Sequence, residues 1–197
     1  MYTVIGTVRS RAFRVLWALE ELGLTYTHVS AGARSEEARK YNPLGKVPVM
    51  LDGDAVLTDS MAIVTYLADK HGGLTAAAGT TDRAQQDAMT FWLVDELDAA
   101  LWLTAKHKFI LPEDRRVPAV IETTKVEFAR NIAHLGRSIR GEFLMGDSIT
   151  VPDILAVHCL NWAISAKLPV EDDAVNAYAK RLRARDAFKA VRELDTA

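Results

Sequence analysis

The chain has 197 residues, 49% of them hydrophobic, enough for one large domain or two small ones around a sizeable core. Its 24 Lys and Arg against 26 Asp and Glu leave a formal net charge of −2, which argues against a nucleic-acid binder driven by phosphate neutralisation. No apolar run approaches the ~18 residues needed to span a bilayer, no secretory leader is expected, and a lone cysteine, Cys159, excludes an internal disulfide and fits a reducing compartment.

Tyr2 to Ile5 is rich in β-formers and predicts a short strand. From Ser10 the pattern turns helical, with Ala12, Val15, Leu16 and Leu19 on one face and Gly23 as a stop. Tyr26 to Ser30 reads as a second strand, so the order is β-α-β, the arrangement a parallel pair requires. Ala31 to Tyr41 is polar and predicts a loop with a short helix. Asn42-Pro43-Leu44-Gly45 is a turn signal, followed by the apolar run Val47-Pro48-Val49-Met50. A proline there has no N–H for a ladder, which puts it at an edge or a bend. Asp52-Gly53 predicts a tight hairpin and Ala55-Val56-Leu57 the returning strand. Thr58-Asp59-Ser60 offers capping oxygens for a helix from Met61 to His71, and Gly72-Gly73 ends it.

Gly72 to Thr80 is small and turn-rich, a linker. Beyond it strand signals stop. One long helical pattern runs from Thr81 to about His107 and another from Val117 to Arg140, a pair expected to lie antiparallel. Thr150 and Asp153 have the spacing of a capping box, with Ile149 and Ile154 at the staple positions. The helix they open should carry Leu155, His158, Cys159 and Trp162. Glu171 to Ala184 and Asp186 to Leu194 are two shorter amphipathic patterns.

The string Asn42-Pro43, Gly45-Lys46-Val47-Pro48, Asp52-Gly53, Leu57, Asp59-Ser60, Ala62-Ile63 and Tyr66-Leu67 resembles the glutathione-binding half of the glutathione S-transferase family. Arg14-Val15, Ala18-Leu19-Glu20 and Leu22-Gly23 resemble its first helix, and the capping box resembles the one in its helical domain. The resemblance implies an α/β N-terminal thioredoxin-like domain, residues 1–73, a linker at 74–80, and an all-α helical bundle domain, residues 81–197. It also implies a cytoplasmic homodimer that uses glutathione as co-substrate, takes a small hydrophobic electrophile and serves detoxification; from charge and the lack of a long apolar run, neither nucleic acid nor membrane is an expected partner.

In the family, the pair equivalent to Asp59-Ser60 holds the γ-glutamyl end of glutathione; the plainer role is helix capping, and the two are compatible. The bond before Pro48 is cis in the family, where the backbone at Val47 pairs with the cysteinyl part of glutathione like an added strand. Lys46 and Arg34 are placed to meet the glycine carboxylate, or are ordinary solvated charges. Family members activate the thiol with a Tyr, Ser or Cys just after the first strand. No Tyr lies between Ile5 and Thr7, Tyr2 is too early, and within Arg9 to Arg11 only Ser10 has a hydroxyl. Ser10 is the expected catalytic residue and Thr7 the reserve, with N-capping as the structural alternative. Arg9 and Arg11 add positive potential beside a thiolate, and Arg11 is counted with the glutathione-binding residues.

Trp102, His107 and Phe109 are candidates for the second-substrate pocket, with core packing as the plainer role of each. The loop Thr7 to Ala12 has no C-x-x-C, which disfavours dithiol redox chemistry. Five histidines without His-x-x-x-His or carboxylate spacing give no reason to expect a metal. Cys159 reads as a buried thiol rather than a nucleophile, and Lys180 to Arg185 as a solvated basic face. The expected reaction is conjugation of glutathione to an electrophile. Isomerase and peroxidase chemistry with the same thiolate, and a non-catalytic glutathione-binding module, are the alternatives.

Overall fold

The computed structural model describes residues 1–194. Packing divides the chain into two units, Met1–Thr80 with the segment from Arg183 onward, and Thr81–Leu182.

In the first unit β1 (Tyr2–Ile5), α1 (Ala12–Glu21), β2 (Tyr26–Val29), α2 (Glu36–Tyr41), β3 (Val49–Asp52), β4 (Ala55–Thr58) and α3 (Ser60–His71) follow the predicted order. The sheet runs β2-β1-β3-β4, with β1 parallel to β2 and antiparallel to β3, and β3 antiparallel to β4. This is a thioredoxin-like arrangement. Crossing over through α1 lets β1 and β2 run parallel; the Asp52-Gly53 turn makes β3 and β4 antiparallel. Pro48 stands just ahead of β3, so the ladder loses no donor.

α1 is buried continuously from Ala12 to Leu19 because it is covered by more than the sheet. α3 packs on it, and so does α9 (Asp186–Glu193). Phe188 of α9 meets Phe13 and Trp17 edge-on, each with ring centroids 5.1 Å apart. Arg185 grips Glu21 with two hydrogen bonds of 2.6 Å, and Trp17 Nε1 donates to the same carboxylate. Asp186 to Leu194, expected with the helical half, 81–197, is grouped by packing with the first unit. The aromatic face built by Phe13 and Trp17 is the reason.

The second unit holds α4 (Thr81–Trp92), a π-helical turn Leu93–Asp98, α5 (Ala99–Ala105), a second π turn Lys106–Ile110, a short 3-10 turn Glu113–Arg115, α6 (Pro118–Ser138), α7 (Val151–Ala166) and α8 (Asp173–Arg183). The helix expected over Thr81 to His107 is one helical run, but two π turns interrupt it. α7 is buried nearly all round from Val151 to Leu160, as befits a helix apolar on every face. Its capping box forms at Thr150 and Asp153. Asp153 accepts from the Thr150 N–H at 2.7 Å, the Thr150 hydroxyl at 2.8 Å, the Leu144 N–H at 2.9 Å and the Tyr178 hydroxyl at 2.8 Å. Among the described residues no helix is long and apolar enough to cross a membrane.

Candidate functional site

The first unit brings two of its loops together at Gly6. Gly6 has φ +149, a backbone conformation that L side chains rarely adopt. Its N–H donates to Val29 O at 3.0 Å, and its carbonyl accepts from His28 Nε2 at 2.7 Å, which puts the ring proton on Nε2. A methyl group at Gly6 would stand 2.6 Å from Ala12 Cβ, 3.3 Å from Val47 Cβ and 3.5 Å from Ser10 Oγ. The loop after β1 and the loop before β3 therefore come together here, and Ser10 and Val47 are brought to one place.

Ser10 lies just ahead of α1, which begins at Ala12 and not at Ser10. Its hydroxyl donates to Thr7 O at 2.7 Å and accepts from the Ala12 N–H at 3.1 Å. These are the bonds of a local cap. The proton can reach a bound thiolate only by leaving the Thr7 carbonyl.

The Val47–Pro48 peptide bond is cis, as expected. The turn ahead of it is pinned by Asn42, whose Oδ1 accepts from Leu44 N and whose Nδ2 donates to Lys46 O. Arg34 has φ 68 and donates its N–H to Gly45 O at 2.7 Å. A Cβ on Gly45 would lie 2.9 Å from Arg34 Cα, so only glycine lets the two loops touch. Arg34 and Lys46 are thus set on adjoining loops, both exposed.

Asp59 is the N-cap of α3, with φ 69, and its Oδ1 takes the N–H groups of Met61 and Ala62. Ser60 follows, 3% exposed. Its Oγ accepts a 3.1 Å hydrogen bond from Arg14 Nη1 and retains its own proton to donate. Arg14 is 2% exposed, at the centre of the buried face of α1. In the sequence Arg14 stands out only as part of the resemblance in the first helix, not as a site residue. The signal was present: one arginine inside the apolar run Ala12-Phe13-Arg14-Val15-Leu16-Trp17 must be buried if the helix is. A buried guanidinium under a helix N-terminus makes that end strongly attractive to an anion.

Trp102, His107 and Phe109 belong to the second unit and do not pack as core residues. Trp102 is 38% and Phe109 63% exposed. His107 Nδ1 accepts from the Val117 N–H at 3.1 Å, a structural bond that ties the second π turn to the start of α6.

Residues 9–70 match the family model for the glutathione S-transferase N-terminal domain. The chain is 30% identical over 195 residues to glutathione S-transferase 4 of Zea mays, covering 90% of this chain and 85% of the maize protein. It is 43% identical over 67 residues to glutathione S-transferase Z2 of Arabidopsis thaliana, covering 32% of this chain and 30% of that one. The match to a Dictyostelium discoideum relative likewise spans less than two thirds of that protein, 61%. Among solved structures, the theta class glutathione S-transferase from the citrus canker pathogen Xanthomonas axonopodis pv. citri, with glutathione bound, superposes with a TM-score of 0.77 at 26% identity, covering 96% of this chain and 95% of that one.

Proposed function

We propose, from the premise that this chain belongs to the glutathione S-transferase family, that it binds reduced glutathione on its first unit and transfers the thiolate to a hydrophobic electrophile. The observation that carries this reading is the meeting of Ser10 and Val47 around Gly6, on the same unit as the buried Arg14–Ser60 pair. Ser60 donates to the γ-glutamyl carboxylate, with the Arg14 charge behind it. The Val47 backbone holds the cysteinyl part. Lys46 and Arg34 meet the glycine carboxylate, and Arg11 adds positive potential near the sulfur. The glutathione thiol gives its proton to solvent, and its sulfur attacks an electrophilic carbon whose leaving group departs with the bonding pair. The protein's part is to lower the thiol pKa and to hold the acceptor in line. Residues 1–73 form the glutathione half, and the enzyme works as a cytoplasmic homodimer in detoxification. Trp102 and Phe109 are exposed apolar groups of the kind that would meet an apolar acceptor.

A second reading is glutathione binding without activation, favoured by the bond from Ser10 to Thr7 O. The two readings separate on Ser10→Ala. A charge-assisted hydrogen bond contributes about 1.5–3 kcal/mol and a neutral one about 0.5–1.5. Exchanging the second for the first is therefore worth on the order of 1 kcal/mol, close to one pKa unit. Ser10→Ala should raise the pKa of the bound thiol by about one unit and cut turnover near neutral pH roughly tenfold, with recovery as pH rises. The thiolate absorbance of bound glutathione against pH measures it. Superimposable titrations of native and variant protein would assign Ser10 to capping alone. Assays with chlorodinitrobenzene, cumene hydroperoxide and a maleylacetone analogue test the reaction. Turnover of the first supports conjugation, turnover of only the second or third replaces it with peroxidase or isomerase chemistry, and turnover of none leaves binding without catalysis.

A further inference from the structure

The second unit holds a cluster that the glutathione reading does not use. Asp98, His158 and Cys159 each present one ligand atom, and these atoms lie within 4.8 Å of one another. Asp98 and Cys159 are buried and His158 is half-buried. Cys159 Sγ is 4.0 Å from Asp98 Oδ2, its thiol directed at the carboxylate.

Two local features produce this meeting. Asp98 closes the π turn Leu93–Asp98, which packs against α7. In an α-helix a residue five positions on is rotated about 140° away. In a π turn, bonded i to i+5, it falls back under the first residue. Asp98 is thereby brought into line with Leu93, which is fully buried, and a carboxylate enters the interior of the unit. His158 and Cys159 are neighbours on α7, yet their ligand atoms converge on that carboxylate. The His158 ring lies 6.4 Å from the Trp162 ring, edge-on, and Trp162 lies 6.5 Å from Trp102.

We propose that Asp98, His158 and Cys159 form a binding site for a divalent transition-metal cation, with zinc the best fit to the donor set. One thiolate, one imidazole and one carboxylate suit a borderline-soft ion and do not suit calcium or magnesium, which take oxygen ligands. Tetrahedral zinc with Zn–S near 2.3 Å and Zn–N or Zn–O near 2.1 Å needs ligand atoms about 3.4–3.6 Å apart. The observed spacing, 4.0 Å between sulfur and oxygen and at most 4.8 Å overall, closes to that by small side-chain rotations. Three protein ligands leave the fourth position open. The half-buried imidazole gives the ion its way in. Binding releases the Cys159 thiol proton to solvent and ties the π turn to α7. No metal-ligand spacing within one segment announces the site, because its ligands come from two helical segments, Asp98 on one and His158 and Cys159 on the other. It is independent of glutathione binding.

The test is titration of the full-length, reduced protein with cobalt(II), followed by absorbance, with zinc as competitor. The account expects saturation at one equivalent, sulfur-to-cobalt charge-transfer absorption in the near ultraviolet, visible bands of a four-coordinate ion, and loss of both on adding one equivalent of zinc. Cys159→Ser should abolish the charge-transfer absorption. His158→Gln, at a partly exposed position, should weaken zinc binding roughly tenfold or more, since loss of even an outer-shell partner costs that much. It keeps the test decisive should the buried Cys159→Ser fail to fold. Absence of charge-transfer absorption at millimolar cobalt, or unchanged zinc affinity in His158→Gln, would overturn the site.

Discussion

Replacing Asp153 with alanine is expected to destabilise the protein by at least about 2 kcal/mol, from ~1–3 kcal/mol for each of the two buried donors, the Leu144 N–H and the Tyr178 hydroxyl, left without a partner. The carboxylate is fully buried and satisfies the N–H of Leu144, the N–H and hydroxyl of Thr150, and the hydroxyl of Tyr178. It joins the loop before α7, the start of α7 and the middle of α8. Alanine strands the buried Leu144 amide and Tyr178 hydroxyl together and also removes the cap from the half-buried Thr150 amide. Asp153→Asn should fall between, because one oxygen remains while an NH2 group faces former donors. Tyr178→Phe should cost only about 1 kcal/mol, since it removes one donor and strands none. Urea midpoints with unchanged slopes measure these differences. A loss under about 1 kcal/mol for Asp153→Ala would mean that the network is not what fixes α7. Burial raises the Asp153 carboxyl above its ordinary range, and its hydrogen bonds only partly oppose this. The fold thus holds that proton more tightly than the unfolded chain, so the residue's contribution to stability declines as pH rises above the ordinary carboxylate range.

Gly6→Ala should cost about 1–3 kcal/mol from backbone strain alone, at a φ that side chains rarely adopt. The new methyl would also overlap Ala12 Cβ at 2.6 Å and press on Val47, so α1 or the loop before β3 must move. Gly79→Ala is the comparison at another positive φ, +81, with nothing within 4 Å of the added Cβ. A larger loss at Gly6 than at Gly79 reports the close packing there together with its more extreme φ. If the Gly6 loop aligns the site, Gly6→Ala weakens glutathione binding as well, whereas Gly79→Ala does not. Equal melting points and equal glutathione affinities for the two variants would remove Gly6 from the account.

Much of the first unit was readable because its signals are local. Asp52-Gly53 names its own turn, Asp59 its own cap, and Gly45-Lys46-Val47-Pro48 a loop with few other uses. What escaped depends on non-local packing. Arg14 sits among apolar residues, and only the approach of α3 shows that it serves Ser60. The π turn Leu93–Asp98 leaves the apolar period almost unchanged while re-aiming Asp98 by a large angle. α9 reads as another amphipathic helix of the second half until Phe188 is seen against Trp17. Trp102 and Phe109 looked like core residues because bulk and hydrophobicity do not tell which side of a helix faces water.

Titration calorimetry of the native protein with reduced glutathione, alongside Ser60→Ala and Arg14→Met, tests the central claim most directly. The account predicts saturable binding by the native protein, and a loss of about 1.5–3 kcal/mol for Ser60→Ala, the range for a hydrogen bond to a charged group. Arg14→Met should lose a comparable amount while α1 stays helical. Native protein that gives no binding heat at millimolar glutathione would contradict the account.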